Sequence, residues 1–195
     1  MVLRPATKKD SLINAALALF MKKGIKGTTT RDIALRAGIS EGTIYRYFPS
    51  KEALAREVFE QNLERFWRFL RRELRNTSNP DEMLGAFIRG VFEFARKYHR
   101  RYSFIFSAHQ TELRRLSRTK MKPKQMLAKI LRLGQVQGRF RPMDANLAAA
   151  MILGMIIQTI FYMRSGLIRV NYEEVVEEVI GACLRMMQPN KMADI

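Results

Sequence analysis

The residues best suited to chemistry lie between Ser40 and Lys51. Glu41, Gly42, Thr43, Tyr45, Arg46 and Tyr47 crowd one short stretch that closes on Phe48-Pro49-Ser50-Lys51. Ile44 and Phe48 are four apart, so on a helix they face the same way and leave the others outside. Such a face binds rather than cuts. Hydroxyls and a helix N-terminus bond phosphates. Arg46 can fork onto a guanine edge or neutralise a phosphate, and Gly42 lets a backbone come close. The alternative for Tyr45 and Tyr47 is packing against the next helix.

Other chemistries lack residues. Cys183 is the one cysteine, so no internal disulfide or cysteine-rich metal site is expected, in keeping with a reducing cytoplasm. His99 and His109 are ten apart with no ligand-spaced partner, which argues against a metal. Gly134 and Gly138 make no phosphate-binding motif. No nucleophile sits beside a base, so neither an enzyme nor a cofactor is expected.

Charge points the same way. The 195 residues hold 35 Lys and Arg against 18 Asp and Glu, a net charge of +17. That balance suits a polyanion, either nucleic acid or an anionic membrane. Residues 145–163 carry no charge and are marginal in length for a membrane span. Asn146, Gln158 and Thr159 interrupt them, so a helix at a subunit interface fits better and no membrane is expected. Residues 15–20 are a short apolar run followed by Lys22 and Lys23, a poor signal peptide.

The elements that must position the binding face read as all-α, about nine helices, three short and then six longer. Leu12, Ile13, Ala16, Leu19 and Phe20 give residues 8–23 a helical stripe, ended by Gly24 and Gly27. Thr29 with Asp32 resembles a capping box and opens a helix that stops at Gly38. Ser40 caps the next. Gly38-Ile39-Ser40 between two short helices is helix-turn-helix geometry, whose second helix enters a major groove. A long helix follows from Ser50 to about Arg75, then helices near 81–98, 102–106, 123–138, 144–165 and 171–188.

Thr28-Thr29-Thr30-Arg31-Asp32-Ile33-Ala34, Ala37-Gly38-Ile39-Ser40, Gly42-Thr43-Ile44-Tyr45-Arg46-Tyr47-Phe48 and Lys51-Glu52-Ala53-Leu54 together resemble the DNA-binding domain of the TetR family of regulators. The likeness covers roughly residues 8–55. It implies a helix-turn-helix domain over 1–52 and an effector-binding and dimerisation domain over 53–195. It further implies that Thr29, and Thr30 at the start of the second helix, touch the DNA backbone, that Thr43, Tyr45, Tyr47 and Lys51 bind phosphates beside the Ser40 cap, that Glu41, Gly42 and Arg46 reach bases, and that Arg31 does either. The expected partner is a near-palindromic double-stranded operator bound by a homodimer in the cytoplasm, with repression the default.

For the C-terminal half the resemblance implies a dimer interface on the last two long helices. Ala150 and Gly154 would form a flat strip surrounded by Met151, Ile152, Met155, Ile156 and Ile160, with Val175, Val176, Val179, Ile180, Cys183, Leu184 and Met187 from the last helix. Phe87, Phe104, Met126, Met155, Gln158, Phe161 and Tyr162 are candidates to line a pocket for a small apolar or amphipathic effector, an acyl-coenzyme A among them. Aromatic and Met stripes also serve as plain core. Eight positive charges between Arg114 and Arg132 could hold an anionic group of such a ligand, or simply form a solvated face. The competing readings are a protein of the same fold without a small-molecule effector, architectural or partner-controlled, and a membrane-surface protein.

Overall fold

A computed structural model of the chain describes residues 7–75, 77–106 and 123–189. Among them the secondary structure is entirely helical, in nine helices: α1 (Lys8–Lys23), α2 (Thr30–Ala37), α3 (Glu41–Tyr47), α4 (Lys51–Glu73), α5 (Pro80–Lys97), α6 (His99–Phe106), α7 (Pro123–Val136), α8 (Ala145–Arg164) and α9 (Tyr172–Met187). The all-α expectation and its order of elements therefore hold. Arg114 to Lys122, and His109, lie outside the described residues.

The chain divides into two compact units. Of the described residues, one draws on 7–66 and 98–106, the other on 67–75, 77–97 and 123–189. In the first, α1 packs on α2 and α6, and α2 packs on α3. Leu12, Ala16, Ile33, Ile44 and Leu54 are sealed from solvent. Phe20 stacks on Phe104 at 6.4 Å between ring centres, and Phe59 tilts against the same ring. Thr7 and Asp10 close a capping box at the start of α1.

In the second unit α5 packs on α7, α8 and α9, and α8 packs on α7. Phe87, Ile88, Val91, Leu127, Leu131, Ile152, Ile156 and Cys183 are buried. Gly134 allows this packing, because a Cβ there would overlap the ring of Phe140. Arg141 ties the end of α9 to the segment before α8: its backbone N–H donates to the Met187 carbonyl at 2.8 Å and its Nε to the Met186 carbonyl at 2.8 Å. Asp144 caps α8 by accepting from the Leu147 N–H.

The inner face of α8 differs from expectation. Ile152, Ile156 and Ile160 are buried within the unit, not arranged around an interface strip. Val175, Val176, Ile180, Cys183 and Met187 of α9 are likewise buried. The outer face of α8 is the stripe Leu147, Met151, Gly154, Gln158 and Phe161, all exposed. Its steps of four and three residues put them on one side of the helix.

Candidate nucleic-acid interface

Two short helices set the geometry. At the start of α2 the Asp32 N–H donates to Thr29 Oγ1 at 3.0 Å, and the Thr29 N–H donates back to Asp32 Oδ2 at 3.4 Å. Lys23 donates to the same carboxylate at 3.3 Å. The Thr29 N–H first, and then Lys23, hold the Asp32 carboxyl below its ordinary pKa. A reciprocal cap of this kind satisfies N–H groups that the first turn of a helix leaves without partners. It fixes where α2 begins, and α2 is the support on which α3 rests.

Gly38 makes the turn. Its φ of 66° and ψ of 36° are left-handed, a conformation that costs glycine little and other residues more. Its N–H closes on Leu35 and the Ile39 N–H reaches the Ala34 carbonyl. Two residues later the Ser40 hydroxyl accepts from the Thr43 N–H at 3.3 Å, and it lies 2.8 Å from the Thr43 hydroxyl. Only three residues, Gly38, Ile39 and Ser40, thus separate α2 from α3.

Burial then divides α3. Ile44 is fully buried and Phe48 nearly so, while Tyr45 and Tyr47 stay 53% and 43% exposed. Both rings therefore keep a large part of their surface open to solvent. Glu41, Gly42 and Arg46 are exposed beside them, and Thr43 is half-buried. No neighbouring atom stands within 4 Å of where a Gly42 Cβ would be. The glycine is open on its outer side, so its backbone is approachable from there.

The structure brings the expected residues together with two qualifications. The Thr30 hydroxyl donates to the Glu41 carboxylate, joining the N-terminal ends of α2 and α3. That pair occupies Thr30 and aims Glu41. Lys51 Nζ donates to the Thr28 carbonyl at 2.9 Å, so it braces the entry to α2 while keeping protons for another acceptor. Thr29, Arg31 and Ser40 are exposed. Sequence reading passed over Lys9, which lies over the Phe48 ring and pairs with Glu57. It also missed the paired polar side chains Asn62 and Arg101. An asparagine inside the apolar stripe of α4 was the available signal.

The chain matches the sequence model for "Bacterial regulatory proteins, tetR family" over residues 12–58. It is 35% identical over 156 residues to the HTH-type transcriptional repressor KstR2 of Mycolicibacterium smegmatis, covering 74% of this chain and 73% of that one. This chain belongs to the TetR family. It is a DNA-binding transcriptional regulator, and the family is not enzymatic. Solved structures share its fold. A tetR family transcription regulator from Shewanella sp. PV-4 superposes with a TM-score of 0.80 at 21% identity, covering 93% of this chain and 98% of that one. FadR from Bacillus subtilis, solved in complex with stearoyl-CoA, gives 0.77 at 22% identity, covering 91% and 98%.

The seven effector candidates do not all fall in one place. Phe104 belongs to the core of the first unit, between Phe20 and Phe59. In the second unit Phe87 is buried, and Met126 and Met155 are half-buried. Gln158, Phe161 and Tyr162 are exposed on the outside of α8, with Phe161 59% accessible. Of the basic segment, Lys129 and Arg132 are exposed on α7. Among the described residues no group of His, Cys, Asp and Glu could hold a metal ion.

Proposed function

We propose that this regulator is a repressor that binds a near-palindromic operator as a homodimer and lets go when an acyl-coenzyme A or a similar amphipathic thioester binds its C-terminal unit. The observation that carries the DNA part is the division of α3. Its apolar side is locked into α2, and its hydroxyl, guanidinium and glycine side stands open. In the proposed complex Thr43, Tyr45, Tyr47 and Lys51 hold phosphates, Glu41, Gly42 and Arg46 face base edges, and Thr29, Thr30 and Arg31 flank the backbone.

The outer face of α8 supports the dimer. By length and composition this helix could cross a membrane, yet only 28% of its most apolar window is buried in the chain. Its inner side is already committed to α7 and α5. A second copy of the same stripe, with Gly154 open to close approach, covers Leu147, Met151 and Phe161 without placing Gln158 in lipid. We assign Gln158, Phe161 and Tyr162 to that interface. Phe87, Met126 and Met155 remain the effector-facing group. A DNA partner supports a cytoplasmic location.

The effector class rests on adaptable Met and Phe side chains in the second unit and on the acyl-CoA ligand of the FadR structure. Helix α4 supplies residues to both units, so it is one covalent route for a change in either. A ligand acts only through unequal affinity for the two states.

The test is selection of random duplex DNA by the purified protein, then binding across a salt series with and without stearoyl-coenzyme A. The expected result is a near-palindrome, an affinity that falls as salt rises, and release by the thioester. Binding without sequence preference would sink the operator reading. Unchanged binding in saturating thioester would sink the effector reading alone.

A further inference from the structure

The hydrogen bond from the Thr30 hydroxyl to Glu41 Oε1 joins two helices of the first unit, α2 and α3. Thr30 is half-buried and Glu41 is exposed. Among the described residues the carboxylate has no other hydrogen bond and no cationic partner. Thr30 takes up one of about four lone pairs that an ionised carboxylate presents. The bond therefore restricts the rotamers of Glu41 while leaving most of its accepting capacity unused.

Within α3, Glu41 is the one acid and Arg46 the one base. The chain carries a net charge of +17, and an acid on its DNA-facing helix works against that charge, because phosphates repel it. A first-turn acid does favour the end of its own helix. That benefit requires no hydrogen bond to a second helix. Beside Glu41, moreover, the outer side of Gly42 is open, so the start of α3 is free to come close to a base edge.

We infer that Glu41, positioned by Thr30, selects a cytosine in each half of the operator. The inference rests on the operator reading above and adds the identity of the base. In the major groove only cytosine N4 and adenine N6 donate, whereas guanine and thymine present acceptors. An ionised carboxylate only accepts, so guanine O6 and N7 and thymine O4 repel it. Adenine has the N7 acceptor next to its amino group, and cytosine has no acceptor on its own major-groove edge. Cytosine thus suits Glu41 best. Arg46 only donates, which gives the two charged residues of α3 opposite base preferences. Thr30 acts through Glu41 and is a positioning residue.

The experiment repeats the random-duplex selection with wild type, Glu41→Gln, Thr30→Val and Thr30→Ser. Wild type is expected to select cytosine at one position of each half-site. Replacing that cytosine with thymine weakens binding by about fivefold or more in fluorescence anisotropy. A glutamine both donates and accepts, and so matches adenine N6 and N7. Glu41→Gln therefore moves that position, and no other, from cytosine to adenine. Thr30→Val keeps the branched shape, removes the hydroxyl and lowers the thymine penalty by about threefold or more. Thr30→Ser restores the donor and the wild-type penalty. A purely structural role for Thr30 would weaken every position alike.

No selected site in wild type fails the operator reading and this inference with it. A near-palindrome whose bases are unchanged in Glu41→Gln upholds the operator reading and overturns the role of Glu41. A shift at a position where wild type does not prefer cytosine overturns the base assignment. Equal thymine penalties in wild type and Thr30→Val overturn the role of Thr30.

Discussion

Helices α3 and α8 each bury one side and leave the other uncovered, but their outer faces are made of different material. Outside α3 stand Tyr45, Arg46, Tyr47, Glu41 and Gly42. Outside α8 stand Leu147, Met151, Gly154, Gln158 and Phe161. The first set donates hydrogen bonds and carries charge, so it can remain in water until an anion replaces that water. The second has little to offer water and is a liability unless covered. Exposure alone thus does not name a partner. The atoms that are exposed do: in one chain one face suits a polyanion, and the other suits the second copy of the chain proposed above.

The strongest way to break this comparison is on α3. Tyr45→Ala with Arg46→Ala should reduce operator affinity by about 2–4 kcal/mol, or roughly 30- to 1,000-fold, if each side chain contributes a typical phosphate or base contact. Fluorescence anisotropy on a labelled operator reads the loss, and circular dichroism should show an unchanged melting temperature. Retained affinity would mean that the face does not meet DNA.

The matching change on α8 is Phe161→Glu. A charge in a self-complementary apolar stripe should weaken the dimer by about 2 kcal/mol or more, some 30-fold. Sedimentation velocity over a dilution series measures it. A variant that sediments as wild type throughout would assign the stripe to another partner.

A third change probes the interior that shapes the second unit. Gly134→Ala drives a methyl into the ring of Phe140, which is itself buried. The expected cost is about 1–3 kcal/mol of stability, seen as a lower urea midpoint. At temperatures where the protein remains folded, the operator sequence preference should be unaltered.

The smallest effect concerns Asp32. Its folded pKa is depressed by the Thr29 N–H and by Lys23. A depressed carboxyl stabilises the fold above its unfolded pKa and loses that contribution as pH falls through the folded value. Asp32→Asn should therefore unfold more easily than wild type at neutral pH, with the gap closing in acid below the ordinary aspartate pKa. Urea midpoints from pH 7 to pH 3 (a window set by the usual carboxylate range) would show it. A gap that is constant with pH would mean that the charge contributes nothing.

Much of this was legible in the residues. Caps and glycines are local devices, so Thr29 with Asp32, Gly38 and Ser40 are enough to place α2 and α3. The period of Ile44 and Phe48 separated the inner side of α3 from the outer. Long apolar helices were less readable. A helix such as α8, apolar nearly all round, has no polar side to mark which way it faces. That is why Ile152, Ile156 and Ile160 read as interface and proved to be core. The scattered Phe and Met residues failed for a related reason. Composition marks them as apolar but does not say which unit encloses them, and Phe104 went to the first while Phe87 went to the second.

By itself the sequence determined the helical class, the helix-turn-helix and the preference for a polyanion, because these depend on local periodicity, capping and summed charge; the family came from the resemblance of the motif residues between Thr28 and Leu54. Only the tertiary structure decided that Thr30 holds Glu41, that Lys51 braces Thr28, and that Arg101 reaches across to Asn62. Those contacts join residues 11, 23 and 39 positions apart. No helical period relates such distant positions, so their meeting is set by how the helices pack.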